Sequence, residues 1–164
     1  MRILFDFAGD PSESRWAAVN DDVMGGRSRS QPTVSDGMLT FNGTLSLENN
    51  GGFASIRTVD YRVDLSSFRT IVLRVSGDGR RYQLRLHSDA EYRGIVVAYG
   101  AEFVAPVGAW IDVRLDLVAL QPRVRGTLLN GPPLNASKVR QMGILIGDKQ
   151  AGPFSLAIDW IGAE

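Results

Sequence analysis

Apolar and polar residues alternate over much of the chain. Ile3, Phe5 and Phe7 follow a two-residue period, as do Ile71, Leu73 and Val75, then Tyr82, Leu84 and Leu86, then Ile111, Val113, Leu115 and Leu117. That period puts one face of a strand in a core and the other in water. Between these runs lie Ser35-Asp36-Gly37, Asn49-Asn50-Gly51-Gly52, Ser76-Gly77-Asp78-Gly79 and Asn130-Gly131-Pro132-Pro133. Such residues supply positive φ or fix a bend. Half-buried strands with turn signals every ~8–12 residues predict an all-β antiparallel sandwich or barrel. Helix is expected only as short turns, one near Pro11 to Ala17 and one near Ala136 to Gln141.

Two Gly dipeptides are read differently. A two-residue turn at Asp36-Gly37 sets Val34 opposite Leu39, two apolar partners, and predicts a hairpin. A turn at Asn42-Gly43 would instead set Phe41 opposite Thr44 and mix the two faces. Leu39, Phe41, Gly43, Leu45 and Leu47 stay in phase as one long strand, and Gly43 then marks a bulge or the close approach of another backbone.

The 164 residues fit a single domain, residues 1–164, with enough chain to bury a core unaided. Eighteen basic and eighteen acidic side chains cancel, so no global field draws nucleic acid or an anionic membrane, and no nucleic-acid partner is expected. Without cysteine there is no disulfide, thiolate metal site or thiol nucleophile. The N-terminal Met1 to Phe7 meets an aspartate before an apolar signal core could form, so no signal or transit peptide is read there. No apolar run approaches the ~20 residues of a transmembrane helix. A soluble, cytoplasmic chain is the expectation.

Chemistry is densest between Trp16 and Ser28, where Asn20-Asp21-Asp22-Val23-Met24-Gly25-Gly26-Arg27-Ser28 follows an aromatic anchor. Its end has a superficial likeness to a phosphate loop, but Asp21 stands where the first glycine belongs and Arg27 replaces lysine. Asp21 and Asp22 lack the alternating oxygen spacing of a calcium loop. The better reading has their carboxylates accepting backbone N–H bonds in a turn that Gly25 and Gly26 make possible. A second metal reading pairs Asp6 with Asp159 near Trp160, where a structural calcium ion would tie the first strand to the last. No other cofactor is expected. The lone histidine, His87, is placed on the polar phase of its strand as a surface side chain, and a histidine-centred triad finds no support. Collecting the polar phases gives Ser55 and Arg57, Arg74, Gln83, Arg85 and His87, and Asp112, Arg114 and Asp116. On one shared sheet these would form an arginine-rich face able to hold an anionic or polyhydroxyl ligand.

These blocks carry a resemblance. Trp16 with Asn20 to Ser28, then Phe41-Asn42-Gly43, then Gly51-Gly52-Phe53-Ala54-Ser55-Ile56-Arg57, and finally Gly147 to Leu156 running on to Asp159-Trp160-Ile161, resemble the family of complex I intermediate-associated proteins. That resemblance implies a galactose-binding-like β-jelly roll related to carbohydrate-binding modules. It also implies a non-catalytic assembly factor or chaperone for the membrane-associated NADH:ubiquinone oxidoreductase, with a respiratory-complex subunit or assembly intermediate as protein partner. The alternative is a carbohydrate- or small-ligand-binding module. The aromatic residues fall mostly on apolar phases, which disfavours sugar stacking, with Tyr92 and Tyr99 as possible exceptions. The candidate binding residues are Asn20, Asp21, Asp22, Arg27, Ser28, Ser55, Arg57, Arg85, His87 and Arg114. Trp16, Met24, Gly25, Gly26, Gly43, Gly51, Gly52, Phe53 and Trp160 are expected to build the turn and core.

Overall fold

The computed structural model describes residues 1–9 and 15–164. Most of the helical turn expected from Pro11 to Ala17 lies outside the described residues, and Trp16 and Ala17 themselves are strand. The described strands are β1 (Arg2–Asp6), β2 (Trp16–Ala18), β3 (Arg29–Ser35), β4 (Met38–Leu45), β5 (Ala54–Thr58), β6 (Thr70–Gly77) and β7 (Arg81–Tyr92). They continue as β8 (Ile95–Val104), β9 (Ile111–Asp116), β10 (Gln121–Val124), β11 (Thr127–Leu128), β12 (Gln141–Ile146) and β13 (Gly152–Ala163). Single 3-10 turns fill several loops, including Ala136–Lys138.

A six-stranded sheet runs β3-β4-β13-β6-β9, with β1 also pairing β13, and a seven-stranded sheet runs β11-β10-β8-β7-β12-β5-β2. Their inner faces close one core. Leu39, Phe41, Ile71, Leu73, Leu156 and Ile158 come from the first sheet, and Ile56, Tyr82, Leu84, Leu86, Ile144 and Ile146 from the second. All twelve are fully buried. Phe154 bridges the layers, its ring centroid 4.9 Å from Phe41 and 6.5 Å from Tyr82. The alternation predicted the inward residues of β4, β6 and β7 because one face of each meets the opposite sheet.

Bulges account for the departures. The β1–β13 register shifts between Ile3 and Phe5, leaving Ile3 46% exposed while Phe5 and Phe7 are buried. On β13 a shift against β6 falls between Ile158 and Trp160. The inward phase accordingly moves from Phe154, Leu156 and Ile158 to Ile161 and Ala163. Asp159 sits at that slip, and Trp160, paired with Asp6 across β1, is only half-buried.

Asp36-Gly37 forms the predicted hairpin, with Val34 opposite Leu39 and both turn residues at positive φ, 53° and 73°. Asn42-Gly43 lies inside one continuous strand, β4, which ends at Leu45 rather than Leu47. Gly43 is packed between strands: a Cβ there would lie 2.8 Å from Phe154 Cζ and 2.8 Å from Ser30 Cα, and would overlap the Arg29 carbonyl. Gly43→Ala is therefore expected to cost ~1–3 kcal/mol in urea unfolding, against less than ~0.5 kcal/mol for Thr44→Ser on the exposed phase of the same strand.

Candidate functional site

Asp21 is completely buried. Its Oδ1 accepts the Ser28 N–H at 2.8 Å, and its Oδ2 accepts the Ser28 hydroxyl at 2.6 Å, the Gly52 N–H at 2.7 Å and the Phe53 N–H at 3.3 Å. One carboxylate thus joins the β2–β3 loop to the β4–β5 loop, as the sequence reading expects of a turn-organising aspartate. The glycines follow from it. A Cβ on Gly26 would lie 2.6 Å from Asp21 Oδ1, and one on Gly51 2.5 Å from Oδ2. Gly25 closes the 3-10 turn Asp21–Met24 in the left-handed region at φ 86°, and Gly52 adopts φ 135°. Burial works to raise the Asp21 pKa, but the bonds from the Ser28 hydroxyl and from the Gly52, Ser28 and Phe53 N–H groups outweigh it and hold the carboxyl below its ordinary range.

Neighbouring polar groups extend this knot. The half-loop residue Asn20, 9% exposed, offers Oδ1 to the Ser30 hydroxyl at 2.6 Å and to the Ser55 N–H at 3.2 Å. The Ser55 hydroxyl in turn donates to the Val19 carbonyl. Trp16 stacks edge-on against Phe5 at 5.3 Å and packs on the core. Asp22 differs from its neighbour: it is exposed and its carboxylate accepts no hydrogen bond from the described residues, which corrects the expectation that both carboxylates organise backbone. Arg27 is also exposed, with Glu48 at 3.5 Å.

A second knot adjoins the first, and sequence reasoning missed it. Arg80 forks onto Asp148, Nε to Oδ2 at 2.9 Å and Nη2 to Oδ1 at 2.7 Å, and its Nη1 donates to the Pro153 carbonyl at 2.9 Å. Both side chains are largely buried, 13% and 7% exposed. Gly147 brings this loop against Gly52 and Phe53, a Cβ there falling 3.5 Å from the Gly52 carbonyl oxygen. The signal available was Asp148 inside a Gly-flanked turn, but its partner lies 68 residues away.

The arginine-rich face divides. Arg57 on β5 and Arg85 and His87 on β7 share the outer face of the seven-stranded sheet, with Ser55 buried at its margin. Arg74, Asp112, Arg114 and Asp116 belong to β6 and β9 in the other sheet, which corrects the grouping of Arg114 with Arg57 and Arg85. There the charges neutralise each other, Arg74 with Asp112 at 3.0 Å and Arg114 with Glu164 at 2.9 Å. On the seven-stranded sheet Arg57, Gly143, Arg85, Gly100 and Gln121 are register partners in one row, and Gln141, His87, Ala98 and Arg123 form the next. His87 is half-buried rather than a simple surface residue. Its Nδ1 is buried and has no partner, and burial, with Arg57 and Arg85 beside it, pulls its pKa down to about 4.

The remaining candidates have other partners. Asp6 accepts the Ala8 N–H at 3.0 Å, and Asp159 faces Arg74 at 3.8 Å. Among the described residues no three His, Asp or Glu side chains gather as a metal-ligand set. Tyr99 is buried and donates to the Pro132 carbonyl at 2.6 Å, so it offers no sugar platform, and Tyr92 carries Arg93 over its ring at 5.2 Å.

Comparison with known proteins adds the relationships. The family described as complex I intermediate-associated protein 30 (CIA30) matches residues 5–158. "Complex I intermediate-associated protein 30, mitochondrial" of Mus musculus is 28% identical over 186 residues, covering 98% of this chain and 55% of the relative. The Drosophila melanogaster protein of the same name is 25% identical over 191 residues, covering 99% of this chain and 62% of the relative. The chain therefore spans little more than half the length of the curated relatives it matches. Both are named as mitochondrial, which qualifies the cytoplasmic expectation, and no helix among the described residues is long and apolar enough to cross a membrane. The family 11 carbohydrate-binding module of cellulosomal cellulase Lic26A-Cel5E of Clostridium thermocellum superposes with a TM-score of 0.72 at 12% identity, covering 98% of this chain and 92% of the module. A family 11 module from Clostridium thermocellum in complex with a β-1,3-1,4-mixed-linked tetrasaccharide gives 0.67 at 11% identity, covering 96% and 94%. At such identity the likeness is one of fold, an antiparallel β-sandwich.

Asp21→Ala should destabilise by ~3 kcal/mol or more, because it strands several buried donors, whereas Asp22→Ala should stay within ~0.5 kcal/mol in the same denaturant titration. Because the folded-state pKa of Asp21 is depressed, its contribution is full above the ordinary carboxyl range and falls away as pH drops through that range and below. The stability gap between wild type and Asp21→Ala should accordingly narrow on acidification, as read from denaturation midpoints.

Proposed function

The chain belongs to the complex I intermediate-associated protein 30 family, and from that premise we propose that it is a non-catalytic binding module in the assembly of NADH:ubiquinone oxidoreductase. It acts by protein–protein contacts with a subunit or assembly intermediate of that complex. The observation that carries this reading is the family match over nearly the whole chain. The surface we assign to the contact is the outer face of the seven-stranded sheet, with Arg57, Arg85 and His87, together with the exposed Asp22 and Arg27 of the loop beside it. Asn20, Asp21 and Ser28 hold that loop in place rather than touch the partner.

The carbohydrate-binding fold of the structural neighbours supports a second reading, a module for a glycan or small polar ligand on the same face. Sugar rings are commonly held by stacking on aromatic side chains through their apolar faces. The outer rows described above present arginine, glutamine, histidine, alanine and glycine, with no aromatic ring among them. The protein-contact reading is preferred for that reason.

Affinity purification of the tagged full chain from its native cell should recover NADH:ubiquinone oxidoreductase subunits by quantitative mass spectrometry, and an Arg57→Glu/Arg85→Glu variant should recover at least ~10-fold less, as expected when a charged contact is reversed. Recovery of no such subunit by the wild type, together with selective binding on a glycan array, would replace the first reading with the second.

A further inference from the structure

The arginines of this protein fall into contrasting groups. Arg15, Arg27, Arg74, Arg80, Arg81 and Arg114 each meet a carboxylate. Others, such as Arg62 and Arg140, are exposed. Arg57, Arg85 and Arg123 are half-buried and have no carboxylate partner among the described residues. Arg57 makes no side-chain hydrogen bond to those residues, and Arg85 spends Nε and Nη2 on one neutral acceptor, Gln83 Oε1, at 3.3 and 3.2 Å. Two carboxylates of β7 and β8 are already engaged: Asp89 by Lys138 at 3.6 Å and by the Asn135 amide at 3.0 Å, and Glu102 by Arg81 at 3.1 Å.

Half-burying like charges without a counter-charge costs stability. The sheet nevertheless makes room for them. Gly143 and Gly100 occupy the row positions next to Arg57 and Arg85. A Cβ on Gly143 would lie 3.3 Å from the Arg57 Cγ, and one on Gly100 3.5 Å from the Arg85 Cγ. The two side chains thus lie over bare backbone and lean in the same direction across the sheet. Beside them the buried Nδ1 of His87 is unpartnered. Two planar guanidinium forks, Arg57 with no acceptor and Arg85 with only one neutral acceptor, suit a compact oxyanion, which can accept from both at once.

We propose that Arg57 and Arg85 form an oxyanion-binding site on the outer face of the seven-stranded sheet, with His87 at its edge, taking a phosphate or carboxylate group. The proposal rests on reading this face as the binding face, not on which complex the chain serves. It also separates the site from neutral-sugar recognition.

His87 is the sole histidine of the chain, so its imidazole gives an unambiguous NMR probe. The full chain is titrated with inorganic phosphate, with glutarate, with an acidic peptide and with a neutral β-glucan tetrasaccharide. A saturable shift of the His87 resonances with phosphate, glutarate or the peptide is expected, accompanied by a rise of about one unit or more in its pKa as anionic charge arrives. The relative strength of the arms then tells a free phosphate from a small carboxylate or an acidic protein segment. Arg57→Gln and Arg85→Gln should each weaken the response at least ~10-fold, Arg57→Lys should restore it only in part because the fork is lost, and Arg114→Gln on the other sheet should leave it unchanged. Relief of like-charge crowding should leave the melting temperatures of Arg57→Gln and Arg85→Gln no lower than that of wild type. The proposal is overturned if no oxyanion gives a saturable shift, if only the tetrasaccharide does, or if the glutamine variants respond as wild type. A drop in their melting temperature would likewise assign the guanidiniums a structural role. Failure to recover respiratory-complex subunits would leave these outcomes untouched, so the two proposals stand or fall separately.

Discussion

The carboxylate of Asp21 is the constraint on which one end of the sandwich depends. Donors from Ser28, Gly52 and Phe53 converge on it, and Gly26 and Gly51 approach it so closely that side chains there would collide with it. The Arg80–Asp148 fork does the equivalent for the loops that open β7 and β13, and Gly147 lays the two knots against each other. A buried ion that satisfies several backbone donors is held by hydrogen bonding more than by net charge attraction. This is why a short acidic, glycine-bearing stretch can fix the geometry of chain segments far apart in sequence. The blocks that mark the family in sequence are, in space, largely these two carboxylate-centred knots.

How much could be read beforehand depended on the range of the interaction. Alternation gave the inward residues of β4, β6 and β7, and turn chemistry distinguished the hairpin at Asp36-Gly37 from the close approach at Gly43, since each depends on neighbours along one strand. Bulges were invisible because a single inserted residue flips the phase without any composition signal, as at Ile3 and Asp159. Asp21 and Asp22 look alike in sequence, yet only the first turns inward. Sheet membership was equally hidden: Arg57, Arg85 and Arg114 share a polar phase, but β9 joins β6 while β5 and β7 flank β12.

Strand order also explains how a neutral chain acquires contrasting surfaces. On the six-stranded sheet, Arg74 and Arg114 have Asp112 and Glu164 within reach. On the seven-stranded sheet, glycines stand where such partners would sit beside Arg57 and Arg85. Zero net charge therefore describes the sum and not the local field, which at this face is positive and partly desolvated.

The seven-stranded sheet ends in β2, three residues long, on one side and β11, two residues long, on the other. Strands that short expose few free N–H and C=O groups in line, so an incoming chain finds scarcely any backbone ladder to extend. Recognition by strand addition is thereby discouraged at both borders of this layer. A ligand bound there as proposed would be read by side chains across the broad surface rather than by backbone along the rim, and selectivity would then reside in where guanidiniums stand and not in the register of a borrowed strand.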